Sequence, residues 1–361
     1  MSVPVTVSDV LDLEKLANWL QSVGLGSGQI DDPLILTGGT QNVLVRFKFD
    51  GRDLVLRRPP PRPRPNSNAL IMREATVLRA LANTSVPHAA LVGTCDDESV
   101  LGGAAFYVME AVEGFNPAER LPKTMSDYET RERIALDATD ALAAIAALDY
   151  VDIGLDGFGK PEGFLDRQVG RWVGERDSYL GLAGYEGLPL PGFEAVRDYL
   201  EANVPASFRA GLMHGDYHLG NLLLDEHSAR VRAVLDWEMS TIGDPLMDLG
   251  RYIAMWPDEH EVIIDTGAIW EAGPLPSPDR LVDRYIQQSG SEIKHLQWYV
   301  VMGCFKLGII LEGTYARSCA GFAPKHIGML LHLTAVRLFE RASRLIGATH
   351  RDIKVLWPKE I

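Results

Sequence analysis

A carboxylate, Asp216, and a carboxamide, Asn221, lie five residues apart in a short polar stretch of this 361-residue sequence. The stretch His214–Asn221 contains two glycines and is bounded by apolar runs, which is typical of a tight loop that presents its polar side chains. Fifteen residues after Asn221, the run 231–235 delivers Asp236 at a predicted strand end, where catalytic groups are often found. A hairpin between Asn221 and Asp236 would bring their side-chain oxygens to the same end of the hairpin. Such a pair suits Mg²⁺, with water and substrate phosphates completing the octahedron.

These residues need a scaffold, and the clearest local element is a hairpin around Asp50-Gly51. Two runs with period-two character flank this dipeptide, which favours a two-residue turn. The predicted register pairs Phe49 with Arg52, Val45 with Leu56, and Leu44 with Arg57.

The remaining pattern predicts a small antiparallel sheet with one helix, followed by a large helical region. The proline-rich stretch 59–68 suits neither a helix nor a central strand. A buried strand is predicted at 104–112, and the island 208–240 is the strand-rich part of the second half. Helices are predicted at 8–22 with Ser8 as the N-cap, and at 69–82, 128–148, 165–180, 193–203, 281–318 and 324–345.

Three motifs carry a resemblance to a known family. HGDYHLGN, then VLDWE, then GDPLMDLG resemble the signature of the aminoglycoside phosphotransferase and choline kinase superfamily, relatives of the protein kinases. The resemblance implies an α+β, protein-kinase-like fold with two lobes. A small antiparallel-sheet N-lobe, 1–112, would bind the nucleotide. A mostly helical C-lobe, 113–361, would carry the catalytic loop and the acceptor site.

The resemblance also implies roles for the motif residues. Asp216 would be the catalytic base that orients the acceptor hydroxyl, with His214 supporting its loop. Asn221 and Asp236 would hold the Mg²⁺ ions that bridge the ATP phosphates. Asp244 and Asp248 would brace the loop by capping backbone amides rather than by touching substrate.

Three N-terminal segments resemble the nucleotide-binding parts of that family. A loop resembling the phosphate-covering loop includes Gly38, Gly39, Thr40 and Asn42, although a Gly-Gly pair by itself usually marks a turn. Glu74 resembles the helix glutamate that pairs with the phosphate-binding lysine. The segment Tyr107–Glu110 resembles the hinge, whose backbone groups would hydrogen-bond adenine, and Glu110 and Val112 are expected to contact the nucleotide.

One position departs from the family pattern. The strand that usually carries the phosphate-binding lysine reads Leu54-Val55-Leu56-Arg57, so Arg57 stands in its place. Arginine keeps the charge, but its planar fork differs from a point charge. The kinase-like module fused to some acyl-CoA dehydrogenases tends to have the same V-L-R sequence, and FKLGIILEGTYARSCAG resembles that subgroup too.

Composition and charge exclude several classes of protein. A net charge of −14 argues against nucleic-acid binding, which needs a basic surface. The three cysteines are widely spaced and form no CxxC pair, which argues against a disulfide framework or structural zinc. We find no signal-peptide pattern and no run near the ~18 apolar residues of a membrane span. We therefore expect a cytoplasmic monomer or homodimer with no membrane partner.

Other residues allow two interpretations. His214 and His218 have a zinc-ligand spacing, but no third ligand is evident and the glycines disfavour a helix, so His218 is expected to be structural. Trp237 is expected in the core, and for Glu238 a position facing the substrate cleft stays open. The arginines at 57, 58, 62 and 64 form either a phosphate or coenzyme-A platform or a solvated loop. Trp298, Tyr299, Phe305, Tyr315, Glu312 and Arg317 lie where relatives build the acceptor pocket, yet such aromatics are more often core.

The implied activity is ATP-dependent phosphoryl transfer to a hydroxyl group of a small molecule, with GTP as an open alternative donor. The resemblance allows an aminoglycoside, choline, a sugar or homoserine-like alcohol, or a hydroxyacyl thioester as acceptor. Few acidic residues accompany the C-terminal aromatics, so a hydroxylated metabolite such as a hydroxyacyl-CoA is favoured over a polycation. The alternative is a nucleotide-binding pseudokinase that serves as a scaffold or sensor, for which Arg57 is the only support.

Overall fold

The computed structural model describes residues 6–36, 42–61, 63, 65–257 and 267–347. Its contacts divide the chain into two compact units. Unit one comprises Met1–Gly114 and Arg232–Glu238, and unit two comprises Phe115–Val231 and Met239–Ile361. The short segment that carries Asp236 therefore clusters with unit one, although the chain on both sides of it belongs to unit two.

Unit one is built around a five-stranded antiparallel sheet with the order β1-β2-β3-β5-β4. The Asp50-Gly51 hairpin is confirmed together with its whole predicted register. One sheet face packs with the first two helices around a core that includes Leu16, Phe47 and Phe106. In chain order the elements are α1 (Val7–Val10), α2 (Leu13–Ser22), β1 (Asp31–Leu36), β2 (Val43–Phe49), β3 (Arg52–Arg58), α3 (Ser67–Leu81), β4 (Leu91–Cys95) and β5 (Phe106–Glu110).

The predicted N-terminal helix is wrong in its start and its N-cap. Two helices replace the single one, because Leu11 is in an extended conformation and ends α1. Asp12 then caps α2 by accepting a hydrogen bond from the Lys15 N–H at 3.1 Å. Ser8 lies inside α1, where its hydroxyl bonds the Thr6 hydroxyl and does not cap a backbone N–H.

Strand β4 has no counterpart in the sequence prediction. Like β1, it lies at a sheet edge and pairs with its neighbour through an irregular register. β1 contains Pro33 and is largely exposed, and β4 contains Gly93, so neither shows apolar alternation. The helix after the proline-rich stretch begins at Ser67, within the predicted connector 59–68.

Unit two is mostly helical, with short strands around the catalytic motifs. Strands β6 and β9 pair antiparallel, and β7 and β8 form the predicted two-stranded hairpin between Asn221 and Asp236. In chain order the elements are α4 (Tyr128–Ala147), α5 (Gln168–Ser178), α6 (Phe193–Ala202), β6 (Gly211–Met213), β7 (Leu222–Leu224), β8 (Val231–Val234), β9 (Thr241–Gly243), α7 (Leu246–Ala254), α8 (Ala268–Glu271), α9 (Pro278–Ser289), α10 (Leu296–Cys319) and α11 (Lys325–Gly347). Single 3₁₀ turns occupy Lys123–Met125, Leu165–Arg167, Tyr179–Gly181, Leu219–Asn221 and Trp237–Met239.

The predicted helix 281–318 is two helices. Gly290 ends α9 in the left-handed conformation with φ 64°, a position that suits glycine, and α10 starts six residues later. By length and composition α10 is apolar enough to cross a membrane. However, 78% of its most apolar window is buried inside the structure. It packs against α7 and α11 and forms the centre of the helical unit.

Candidate active site

The backbone of the loop His214–Asn221 is anchored by the carboxylate of Asp248. Asp248, in the first turn of α7, accepts hydrogen bonds from the backbone N–H groups of His214 and Gly215 at 2.6 and 2.9 Å. Gly215 has φ +87°, and a Cβ there would lie 2.2 Å from the Met239 carbonyl oxygen. The loop therefore needs glycine at this position. The predicted bracing role of Asp248 is confirmed.

The backbone of Asp216 is held on both sides by its own loop. Its N–H donates to Nδ1 of His214 at 3.3 Å, and its carbonyl oxygen accepts from Nδ2 of Asn221 at 3.0 Å. His214 is fully buried, as a loop-supporting residue should be. Next to it, His218 accepts the Gly220 N–H on Nδ1 at 3.1 Å, which agrees with its predicted structural role. The loop therefore orients Asp216 before any ligand binds.

The Asp216 carboxylate is surrounded by cationic and imidazole groups. Arg251 donates from Nη2 to Oδ1 at 2.9 Å, and His218 Nε2 lies 3.6 Å from Oδ2. Burial alone would raise the pKa of Asp216, but the charges of Arg251, His218 and Lys306 outweigh it and hold the pKa well below its usual range. The carboxylate thus stays ionised at neutral pH and acts as a hydrogen-bond acceptor.

Asp244 caps a helix rather than the catalytic loop, which corrects the sequence prediction. One of its oxygens accepts the Leu246 N–H at 3.0 Å at the start of α7. The other accepts the Tyr299 hydroxyl at 2.5 Å. Burial raises the pKa of Asp244 to about 6, although both hydrogen bonds oppose the shift.

That raised pKa predicts a pH-dependent stability difference. Because Asp244 binds its proton more tightly in the folded state, its stabilising contribution is present below its unfolded pKa, near 4, and is lost as the pH rises through about 6. Relative to Asp244→Asn, the wild type should therefore lose about 3 kcal/mol of unfolding free energy between pH 4 and pH 7. Denaturant unfolding of both proteins at several pH values measures this. A difference that stays constant across that range would contradict the assignment.

A second group of predicted residues lies in unit one and centres on Arg57. The guanidinium Nε is 2.9 Å from Oε2 of Glu74 on α3, and Nη2 is 2.7 Å from Oδ1 of Asp236. Glu238 is also near, at 3.8 Å from Nη2. Arg57 thus makes the pairing with the helix glutamate that is expected of the family's lysine, and it bridges that glutamate to Asp236.

Burial and charge act against each other in this pair. Burial raises the pKa of Glu74, and the Arg57 charge opposes that rise. Burial likewise disfavours the charge on Arg57, but Glu74, Tyr107 and Asp236 together keep its pKa above the usual range. The Tyr107 hydroxyl lies 3.5 Å from Glu74 Oε2. Glu74 is 1% exposed, so it depends on Arg57 for compensation of its charge.

Asp236 in unit one and Asn221 in unit two each carry a side-chain oxygen of the kind that magnesium prefers. Asp236 adopts a left-handed backbone with φ 64°, and its side chain is 45% exposed. Within the described part of the chain, neither Oδ2 of Asp236 nor Oδ1 of Asn221 accepts a hydrogen bond. Each of these atoms is a hard oxygen donor, so each residue fits Mg²⁺ as a ligand. Beside Asp236, Trp237 is 2% exposed and donates from Nε1 to Val234 O, as predicted for a core residue.

The other predicted nucleotide contacts are only partly described. Gly38, Gly39 and Thr40 lie outside the described residues, as do the arginines at 62 and 64. Asn42 is tethered to Glu238 by a 3.2 Å hydrogen bond from its side chain.

The backbone at the predicted hinge has one amide left to donate. The Glu110 N–H donates to Ala90 O, and the Ala111 N–H donates to Asp53 O. The Glu110 side chain pairs with Arg52 at 2.5 Å. Among the described residues, nothing accepts a hydrogen bond from the Val112 N–H.

Sequence reasoning missed two cations beside the catalytic loop. Arg251 follows Asp248 by three residues on α7, and Lys306 interrupts the apolar centre of α10. Both are buried, at 4% and 8% exposure. The signal that could have revealed Lys306 is a charged residue in an apolar stretch of a predicted helix.

The C-terminal aromatics are largely core residues. Trp298, Tyr299 and Phe305 are each no more than 2% exposed. Glu312 is fully buried, and it accepts hydrogen bonds from the Tyr185 hydroxyl at 2.7 Å and binds His332 Nδ1 at 2.6 Å. These contacts lie within the helical core, as the core interpretation predicts for this segment.

An apolar pocket opens on the far part of the catalytic loop. Its volume is about 220 Å³, and no Asp or Glu is among its described lining residues. His218, whose ring reaches towards Asp216, forms part of its wall. The described lining comprises Ala118, His218, Leu219, Gly220, Tyr252, Met255, Trp256 and Trp270.

Comparisons with known protein sequences agree on one family. Residues 34–292 match the family described as the phosphotransferase enzyme family. The chain is 32% identical over 347 residues to IBR3 of Arabidopsis thaliana, a candidate acyl-CoA dehydrogenase, covering 91% of this chain and 40% of that protein. It is 30% identical over 293 residues to acyl-CoA dehydrogenase family member 10 of Mus musculus, covering 79% of this chain and 26% of that protein. The chain thus spans less than half the length of these curated relatives.

Solved structures agree on the fold. A crystal structure of a candidate aminoglycoside phosphotransferase from Ralstonia eutropha JMP134 has 28% identity and a TM-score of 0.73, covering 92% of this chain and 99% of that one. A thermostable mutant of aminoglycoside phosphotransferase APH(4)-Ia, in a ternary complex with ADP and hygromycin B, has 16% identity and a TM-score of 0.60, covering 93% and 100%. These likenesses confirm the protein-kinase-like fold that the motifs predict.

Proposed function

The chain belongs to the phosphotransferase enzyme family, and we propose that it transfers the γ-phosphoryl group of ATP to a hydroxyl group of a small molecule. The observation that carries the proposal is the state of Asp216. It is ionised, held by its own loop and clamped through Asp248, as a residue that orients an acceptor hydroxyl must be.

The nucleotide half of the proposal rests on unit one. Arg57 makes the ion pair with Glu74 that positions a phosphate-binding cation in this fold, and its guanidinium offers several donors to phosphate oxygens. The Val112 N–H, which donates to no acceptor among the described residues, would be available for a hydrogen bond to adenine. APH(4)-Ia binds ADP in its ternary complex, which supports a nucleotide as the donor here.

We infer that both groups of residues act on one bound nucleotide. Mg²⁺, held by Asn221 and Asp236, would neutralise charge on the phosphate oxygens. Asp216 accepts a hydrogen bond from the acceptor hydroxyl and aligns its oxygen with the γ-phosphorus. As the new P–O bond forms, the bond to the bridging oxygen breaks and ADP leaves. The hydroxyl proton passes to Asp216 and then to solvent, so catalysis is mainly positioning and electrostatic stabilisation.

The acceptor that we propose is a hydroxylated metabolite with an apolar segment, such as a hydroxyacyl-CoA. The pocket beside His218 presents two tryptophans, a tyrosine, a methionine and a leucine, and its described lining contains no carboxylate. A polycationic aminoglycoside would be poorly matched by such a wall, whereas an alkyl chain gains from burial there. The acyl-CoA dehydrogenase relatives support the same class of acceptor.

A thermal-shift titration with ATP and Mg²⁺ tests the nucleotide site. Ligand at about 100 times its Kd stabilises the native state by about 2.7 kcal/mol, which raises the Tm by several degrees. We expect this shift for the wild type and for Asp216→Asn, and we expect Asp236→Ala to lose it when each protein is compared with its own ligand-free Tm.

ADP release from MgATP, measured beside the titration, separates the proposal from the pseudokinase alternative. The specific observation behind that alternative is that Arg57 replaces the family's lysine and is paired with Asp236. A scaffold that binds nucleotide without turnover would show the shift but release no ADP. No shift with any nucleotide in the wild type would overturn the nucleotide site altogether.

A further inference from the structure

Lys306 is a buried lysine whose ammonium group reaches the catalytic loop from another helix. It lies in the middle of α10, flanked by the apolar residues Phe305 and Leu307. Its Nζ donates a hydrogen bond to the backbone carbonyl of Gly215, the residue that precedes Asp216. Of the quoted motifs only FKLGIILEGTYARSCAG contains this lysine, and that resemblance assigns it no role.

The surroundings of Lys306 explain how a charge is tolerated there. Burial lowers its pKa to about 8, while the carboxylates of Asp216 and Asp248 favour the charged form. Its Nζ also lies 5.4 Å from the centroid of the Trp172 ring, a cation–π distance. Two carboxylates and two cations, Lys306 and Arg251, thus nearly balance their charges beneath the loop. An apolar residue would fill this space without the cost of desolvating a charge, so packing alone does not account for a lysine.

The contact acts on one peptide group. The Gly215 carbonyl and the Asp216 N–H belong to the same peptide plane. Lys306 holds the carbonyl end of that plane, and His214 Nδ1 accepts from its N–H end. Gly215 has φ +87°, a conformation in which glycine rotates with little steric resistance. Without the lysine, the plane retains only the His214 contact among the described residues, and rotation of the plane redirects the Asp216 side chain.

We propose that Lys306 is a positioning residue for Asp216. By fixing the peptide plane between Gly215 and Asp216, the lysine aims the Asp216 carboxylate at the acceptor hydroxyl. This role rests on the proposed phosphoryl transfer. The lysine touches neither the acceptor nor the nucleotide. Its loss should lower kcat and leave MgATP binding intact, because the predicted nucleotide contacts are made by other residues.

Steady-state turnover of three variants tests the role. Lys306→Met keeps much of the side-chain volume without the charge, Lys306→Arg restores a donor, and Lys325→Met removes an exposed lysine as the matched control. Turnover is measured as ADP release from MgATP, with water or 3-hydroxybutyryl-CoA as acceptor. A misplacement of about 1 Å costs on the order of 100-fold in rate, so we expect that loss in kcat for Lys306→Met, with KM for ATP within about threefold of wild type. The kcat of Lys306→Arg should be at least about tenfold higher than that of Lys306→Met.

Two further measurements keep the test decisive. In an Asp216→Asn background, Lys306→Met should cause almost no additional loss, because the lysine acts through that carboxylate. Hydrogen exchange in the peptide 212–219 should be faster in Lys306→Met than in Lys306→Arg. This comparison does not depend on turnover, so it tests the contact even if the wild type releases no ADP. Wild-type kcat in Lys306→Met, or an equal loss in both backgrounds, would overturn the proposal. Absence of turnover in the wild type itself would instead overturn the proposed function.

Discussion

Asparagine in place of Asp216 is expected to lower phosphoryl transfer by about 10²–10⁴-fold, the usual contribution of a general base, while MgATP binding stays unchanged. The substitution keeps the shape of the side chain but removes its charge. The amide retains an oxygen for Arg251, yet it no longer accepts a proton from the acceptor hydroxyl. The backbone contacts of the loop to His214, Asn221 and Asp248 do not involve the replaced atom, so the loop should keep its geometry.

A matched control separates this effect from the loss of an ion pair. Asp140 in the same unit also pairs with an arginine, Arg284, at 2.6 Å. Asp140→Asn should therefore retain wild-type kcat. Both variants are compared by ADP release and by the ATP-induced rise in Tm. Wild-type turnover in purified Asp216→Asn would show that another residue orients the acceptor.

Methionine in place of Arg57 is expected to give the largest loss of stability. Glu74 would remain buried at 1% exposure without its cation. Removing one partner of a buried ion pair costs about 3–5 kcal/mol, because the other charge is left uncompensated. The Arg57→Met protein then folds only with Glu74 protonated, so its loss of unfolding free energy should be larger at pH 9 than at pH 6. Arg57→Lys keeps a cation and should lose far less.

Thermal and denaturant unfolding measure the effect, with Arg46→Met as the control. Arg46 lies on the neighbouring strand and also pairs with two acids, Asp53 and Glu113, but its side chain is 33% exposed. Exposed pairs contribute about 0–1 kcal/mol, so this variant should stay close to wild type. A double variant, Arg57→Met with Glu74→Leu, should regain most of the lost stability. Equal losses in Arg57→Met and Arg46→Met would contradict the buried-pair account.

The parts of the fold that the sequence predicted are those set by local rules. The Asp50-Gly51 turn fixes its hairpin register, because a two-residue loop leaves one pairing for the apolar alternation. The edge strand β4 was missed because its irregular pairing and Gly93 remove that alternation. Ser8 was mistaken for a cap because Thr6, Ser8 and Asp12 all have capping side chains, and only the extended Leu11 decides between them.

The residues of the candidate site likewise divide into those that local sequence patterns predicted and those that they missed. His214, Asp216, Asn221 and Asp248 lie close in sequence or share one signature, so the motif alone brought them together. Arg251 and Lys306 reach the loop through the packing of α7 against α10, and no local pattern indicates that contact. The cytoplasmic location, the oligomeric state and the division of the chain at residue 112 stay predictions.

The most direct test of phosphoryl transfer is ³¹P NMR of the wild-type protein with MgATP and 3-hydroxybutyryl-CoA, run beside hygromycin B and choline as acceptors. The account predicts a new phosphomonoester resonance that grows with the ADP signals, in the hydroxyacyl-CoA sample and not in the hygromycin B sample. Asp216→Asn should abolish it. A phosphomonoester formed on hygromycin B alone would contradict the proposed acceptor. ATP that stays intact with every acceptor would contradict phosphoryl transfer itself.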